Sequence, residues 1–309
     1  MAVAAADRPP LVTPEPPPRP GLRRRTSAFL NRHPRLRLTF LLAPPIGWMG
    51  VVYLGALAVL FVSAFWKLDP LSSAVVHKFT LDNFKTLVQI PVYRTIAIRT
   101  IGVAAAATIT DIILVFPLAY YAARLASRRA KAAILLSVTL PLWSNYLVRA
   151  YAWRVILDQH GILNWVLDKV GLGLNVGYTT WAVWIVFSYL WLPYVFFPIY
   201  AALERIPDSF VEASSDMGAR FGTTFRRVIL PLAIPGIVAG SIFSFSLTLG
   251  DYIAPTLVGN KPFIGNIVYS NVLGITNNLP FGAAYALVPV AVMAIYLLIA
   301  RRMGAFEAL

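Results

Sequence analysis

The sequence has no cysteine and only 13 acidic side chains in 309 residues. Without cysteine there is no disulfide framework, no thiol nucleophile and no thiolate metal site, and redox compartment cannot be read. Charged residues make up 13% of the chain, where soluble domains carry about 25%. That leaves too little polar surface to wrap a water-facing core of this size. The three histidines, His33, His77 and His160, are far apart and form no metal or catalytic constellation. No Walker A pattern, no His-Glu-x-x-His and no Gly-x-Ser-x-Gly occurs. Gly171-Leu172-Gly173 is followed by Gly177 at the wrong spacing for a dinucleotide fingerprint. The chain therefore reads as a non-enzyme with no cofactor of its own. Work against a gradient needs energy from a partner or from ions.

What the chain has instead is apolar length. Hydrophobic residues make up 58% of it, and they come in long blocks. About 20 apolar residues in a row span a bilayer as a helix. Six blocks qualify: 39–66, 96–123, 131–153, 178–203, 230–256 and 281–300. Trp and Tyr gather at several of their ends, as an interfacial belt requires. The expected fold is all-α, a polytopic membrane protein with six transmembrane helices. The formal charge of +14 would suit nucleic acid, but the basic residues sit at the ends of apolar blocks, so no nucleic-acid partner is expected.

Three regions follow from this. Residues 1–37 are a tail with seven prolines in the first 20 positions and then a basic arm; that composition predicts disorder. Residues 38–302 hold the six spans. Residues 303–309 are a short C-terminal tail. With the N-terminus inside, the inner segments contain 18 of the 27 Lys and Arg residues, so both termini are expected in the cytoplasm. In the first outer loop, Thr80 is placed to cap a helix. Residues 158–177 read as a short amphipathic helix at the outer interface. No internal repeat is visible, so the inverted repeats common in secondary transporters are not supported.

The 204–230 loop is the most informative stretch. Asp208 or Ser209 is placed to cap a short helix, with Glu212 three or four residues on. Phe210, Ala213 and Met217 share one face of it by spacing, and Gly218 permits a turn. The loop reads as a helix-turn-helix with Glu212-Ala213-Ser214, then Gly218, then Val228, Leu230 and Pro231. This resembles the E-A-A-x3-G-x9-I-x-L-P motif of binding-protein-dependent ABC importer permeases. The departures are Ser214 for the second alanine and Val228 for isoleucine.

The resemblance covers about 38–302. Residues 140–153 (Leu-Pro-Leu-Trp-Ser-Asn-Tyr-Leu-Val-Arg-Ala-Tyr-Ala-Trp), 79–84, 250–255 and 280–284 are similar to the spermidine/putrescine-type branch. It implies a coupling helix in which Phe210, Glu212, Ala213 and Met217 meet an ATPase partner and Gly218 shapes the turn. It also implies a bacterial inner-membrane, multi-pass location and a module of two permease chains, usually different in this branch. Two ATPase subunits, holding ATP and Mg, and an extracytoplasmic substrate-binding protein complete it.

A polyamine path needs carboxylates to offset charge and aromatic faces to hold methylenes and ammonium groups. Asp251 and Tyr252, near the outer end of the fifth span, are candidates. Trp143, Tyr146 and Trp153 are the others, sharing one helix face along the third span. Against this stands a lipid-facing aromatic belt with a structural Asp251–Arg149 ion pair. The rival function is an ion-coupled secondary transporter or channel, for which Asp111, mid-way along the second span, is the one fitting residue.

Overall fold

The computed structural model describes residues 34–171, 176–274 and 276–302. Residues 1–33 and 303–309, which carry most of the expected N-terminal tail and all of the C-terminal one, lie outside the described residues. The chain divides into two units, 1–59 and 60–309.

In the first unit, α1 (Pro34–Trp48) begins inside the stretch expected as tail and tolerates Pro44 and Pro45. A π-turn, Met49–Leu54, leads from it into α2 (Gly55–Ser63), which crosses the unit boundary. Residues 41–63 form the first candidate span.

The second unit opens with a polar loop. Strands β1 (Lys67–Leu68) and β2 (Val75–Val76) pair antiparallel. Between them Asp69 accepts the Leu71 and Ser72 amides, which hold its carboxyl below the usual carboxylate range. Helix α3 (Asp82–Gln89) follows. The capping expectation is shifted by one residue: Leu81 holds the cap position, and Thr80 Oγ1 accepts the Asp82 amide at 3.1 Å. Asn83 Nδ2 donates to the carbonyls of Ala64 and Trp66, 2.9 Å each, fastening α3 to the end of the preceding helix.

Helix α4 (Pro91–Tyr120) starts on a proline, whose missing N–H costs nothing there, and ends in a π-turn, Tyr121–Leu125. Ser127 caps α5 (Arg128–Trp143). Then comes the main departure from expectation. The third span is not one helix. Ser144 is extended, Asn145 Oδ1 accepts the Leu147 amide at 2.8 Å, and a new helix, α6 (Tyr146–Ile156), sets off at 97° to α5. Trp143 therefore does not share a helix face with Tyr146 and Trp153; it is 79% exposed. Helix α7 (Ile162–Lys169) is the expected short helix of the following segment, whose residues 172–175 lie outside the described ones.

Helix α8 (Thr180–Glu204), capped by Thr179, is the most buried span. The short α9 (Asp208–Asp216) and α10 (Phe221–Thr224) follow, then a π-turn, Phe225–Ile229, and α11 (Leu230–Gly250). After the break at Asp251 come α12 (Ile253–Val258), α13 (Ile264–Val272) and α14 (Leu279–Arg302). Helices α4, α8 and α11 pack on one another as the centre of the unit. One cluster there contains Val115, Ala119, Phe196, Ile199, Leu203 and Ala233. The other contains Ala107, Ala182, Val186, Phe187, Leu190 and Phe263. Among the described residues five helices are long and apolar enough to cross a membrane, or six with α5–α6 as one broken span.

Candidate functional site

Two polar regions stand out. The first is the loop between α8 and α11. Pro207, at φ −64° and ψ 139°, takes the cap position of α9, and no side chain caps it, contrary to the expectation for Asp208 or Ser209. Asp208 lies in the first turn and pairs with Arg124 Nη1 at 2.7 Å. Glu204, at the end of α8, pairs with Lys131 on α5. Arg124, in the π-turn after α4, and Lys131, on α5, thus grip both sides of Pro207. Helix α9 ends in a Schellman turn: the Gly218 amide donates to Ser215 O at 2.8 Å and the Ala219 amide to Ser214 O at 3.1 Å. Gly218 has φ +77°, a conformation that favours glycine. Ser214, one of the two departures from the motif, is buried, and its hydroxyl meets Thr224 Oγ1 at 2.9 Å. That pair joins the two limbs of the helix-turn-helix.

Val211 and Ser214 turn inward. Phe210, Glu212, Ala213 and Met217 are exposed, Met217 at 81%. Glu212 has no ion-pair partner among the described residues. Phe210 also borders a cavity of about 330 Å³ lined by Arg205, Pro207, Leu232 and Pro235.

The second region gathers on α6, α8 and the α11–α12 break. Asp251 stops α11 and caps α12: its Oδ1 accepts the amides of Ile253 at 2.7 Å and Ala254 at 3.1 Å. The Tyr146 hydroxyl donates to its Oδ2. The Tyr146 ring stacks on Trp191, centroids 6.0 Å apart, and Trp153 meets Tyr189 at 5.3 Å. Tyr252 stacks on Tyr269 at 4.4 Å, and Asn266 Nδ2 fixes the Tyr252 carbonyl at 3.0 Å. Gly265 packs against this turn so closely that a Cβ there would lie 2.6 Å from the Asp251 carbonyl oxygen. The Asp251–Arg149 ion pair weighed from the sequence is not formed. Trp191, Tyr189 and Tyr269 escaped sequence reading, because nothing local marks which of many aromatics on a buried helix face this turn.

Asp111 is fully buried between α4 and α11. Ser244 Oγ donates to its Oδ2 at 2.6 Å, and Thr108 stands 3.5 Å from the same serine. This is a hydrogen bond between helices. No group of three or more potential metal-ligating side chains occurs among the described residues.

Comparison with known proteins gives this arrangement its family. Residues 115–305 match the binding-protein-dependent transport system inner membrane component. The inner membrane ABC transporter permease protein YdcU of Escherichia coli (strain K12) is 44% identical over 95% of this chain and 97% of its own. The spermidine/putrescine transport system permease protein PotB of the same organism is 31% identical over 82% of this chain and 93% of its own. Among solved structures, a bacterial alginate ABC transporter in complex with a pentasaccharide-bound periplasmic protein has a chain with TM-score 0.71 at 18% identity, covering 92% of this chain and 98% of that one. The MetNI methionine ABC transporter has one with TM-score 0.55 at 16% identity, over 72% and 98%. These two share the fold. Family membership decides against the ion-coupled alternative. The chain belongs to the binding-protein-dependent transport system inner membrane components, as a multi-pass permease subunit of an ABC importer.

Proposed function

We propose that this permease imports polyamines, such as putrescine and spermidine, as one of two different permease chains in its complex. The observation that carries the substrate class is the meeting at one break of the Asp251 carboxylate with the Tyr146 hydroxyl, the Tyr146–Trp191 stack and the Tyr252–Tyr269 stack. A carboxylate beside aromatic faces suits an alkyl ammonium chain, with each cation–π contact contributing roughly 0.5–2 kcal/mol. The likeness to PotB supports the same class. Of the residues expected on the path, Asp251, Tyr252 and Tyr146 remain together; Trp153 stands on the Tyr189 side, and Trp143 is removed from the group by the bend.

In this reading α9 is the coupling helix. Its exposed face of Phe210, Ala213 and Met217, with Glu212, docks on an ATPase subunit that holds ATP and Mg, and Gly218 sets its exit angle. The Arg124–Asp208 pair ties the docked helix to the π-turn after α4, and the Lys131–Glu204 pair ties α5 to α8 just before it, so that ATPase closure moves the spans as a unit. Both termini and α9 then lie on the cytoplasmic side. A cysteine at Ser209, unique in this chain, is expected to be inert to an impermeant reagent added outside intact cells.

The test is reconstitution of both permeases, the ATPase and the binding protein in liposomes. Putrescine or spermidine is expected to raise ATP hydrolysis several-fold and to be taken up. Stimulation by a neutral sugar or an oxyanion, with none by any amine, would contradict the substrate class.

A further inference from the structure

Arg149 is buried and forms no ion pair among the described residues. Its exposure is 8%, and Nε and Nη1 find no acceptor among the described residues. A buried guanidinium left without a counter-charge is strongly unfavourable, and folded proteins pair such groups. Asp251 meets the same helix one turn earlier through Tyr146, but its oxygens are taken by Tyr146, Ile253 and Ala254.

Arg149 lines a cavity of about 330 Å³ together with Ser144, Val148, Ala152, Trp153 and Tyr189. Val148 is 62% exposed on its rim. Leu147, Tyr151 and Val155 continue an exposed apolar strip along α6. Depth follows from helix length. Helix α5 has 16 residues from its basic end at Arg128. At 1.5 Å per residue it advances about 24 Å, less than the hydrocarbon thickness of roughly 30 Å. With Arg128 at the boundary of the apolar layer, the α5–α6 elbow lies inside that layer at any tilt. Acyl chains offer no acceptor there, which leaves water held in the cavity or a protein group, and a fixed carboxylate is the stronger partner for a guanidinium. A desolvated charge ringed by aromatic and apolar surface is the pattern of an interface centre.

We propose that an Asp or Glu side chain of the second permease chain enters this cavity and pairs with Arg149, making the α5–α6 elbow part of the interface between the two permeases. The guanidinium fork suits a carboxylate bidentately. The inference rests on the reading of two permease chains per complex.

The test uses the complete complex, extracted through a tag on this chain. If the wild type retains no second permease chain, the two-chain reading itself fails, which is a different result from failure of the inference. With the wild type intact, Arg149→Glu is expected to retain at least tenfold less of the second chain. Changing one acidic residue of that chain to Arg is expected to restore it. Should Arg149→Glu not accumulate in membranes, Val148→Cys decides, since it leaves Arg149 in place and the chain has no native cysteine. It is expected to form a disulfide with a cysteine placed beside one acidic residue of the second chain. The inference is overturned by wild-type retention in Arg149→Glu. A raised KM for polyamine would then assign Arg149 to the substrate, and loss of a bound phospholipid in native mass spectrometry would assign it to a headgroup. Absence of any Val148→Cys cross-link to the second chain overturns it equally.

Discussion

The α9 loop and the α5–α6 elbow are built in opposite ways. In the loop, the carboxylates and hydroxyl that fix shape find partners within the chain, Asp208 in Arg124, Glu204 in Lys131 and Ser214 in Thr224, and only Arg124 Nη2 is left buried without one among the described residues. What faces outward is a short helical face with Phe210 and Met217 on it. At the elbow, aromatic rings turn inward around Asp251, and Nε and Nη1 of the buried Arg149 find no acceptor among the described residues. The loop is a finished handle waiting for a grip. The elbow is a surface that the chain alone does not complete.

This contrast can be broken first at its tightest point. A side chain at position 265 must displace the Asp251 carbonyl, since even a Cβ would stand 2.6 Å from it. Gly265→Val is expected to lower the membrane level of the protein at least tenfold, read by quantitative blotting. The loop responds differently. Space is open around Gly218, so the cost of a substitution is purely conformational, roughly 1–2 kcal/mol for a residue that resists positive φ. Gly218→Val is expected to reduce substrate-stimulated ATP hydrolysis about tenfold at normal membrane level, while Gly218→Asn, which tolerates this conformation, keeps most of it.

Two smaller effects are expected, one at each region. Asp251→Asn retains an acceptor for the Ile253 and Ala254 amides but loses the charge. Polyamine uptake is expected to fall several-fold with the complex intact. Asp251→Ala also removes the cap and should lower thermal stability, by roughly 1–3 kcal/mol. Equal stability loss in both variants would reduce Asp251 to a structural cap. Ser214→Ala, which restores the residue usual in the motif, leaves Thr224 Oγ1 buried without its partner and should cost about 1 kcal/mol. Adding Thr224→Val should recover most of that, and a double-mutant cycle on complex stability reads the coupling.

The loop was legible because its information is local. A spaced motif, a proline at each end and a glycine at the turn lie within 25 residues, and the fold follows them. Even so, the cap went to Pro207, and the reason lies elsewhere in the chain: Arg124, more than 80 positions earlier, takes Asp208. The elbow was not legible. Residues 131–153 are apolar enough for one span, and helical spacing placed Trp143, Tyr146 and Trp153 on one face. That arithmetic assumes an unbroken helix. The signal against it was the Ser144-Asn145 pair, a helix cap set inside an apolar block. Hydrophobic length cannot see such a break, and no local pattern states that Tyr146 reaches Asp251 from 105 positions away.

Met217, exposed at 81%, reports most directly on whether α9 couples this chain to an ATPase. In a chain without native cysteine, Met217→Cys offers a single reactive site. In the intact complex it is expected to form a disulfide with a cysteine in the groove of the ATPase subunit, at a yield that changes between the nucleotide-free and ATP-bound states. A free, fully alkylatable Met217→Cys in both states, in a complex that still hydrolyses ATP on adding substrate, would rule out α9 as the coupling helix.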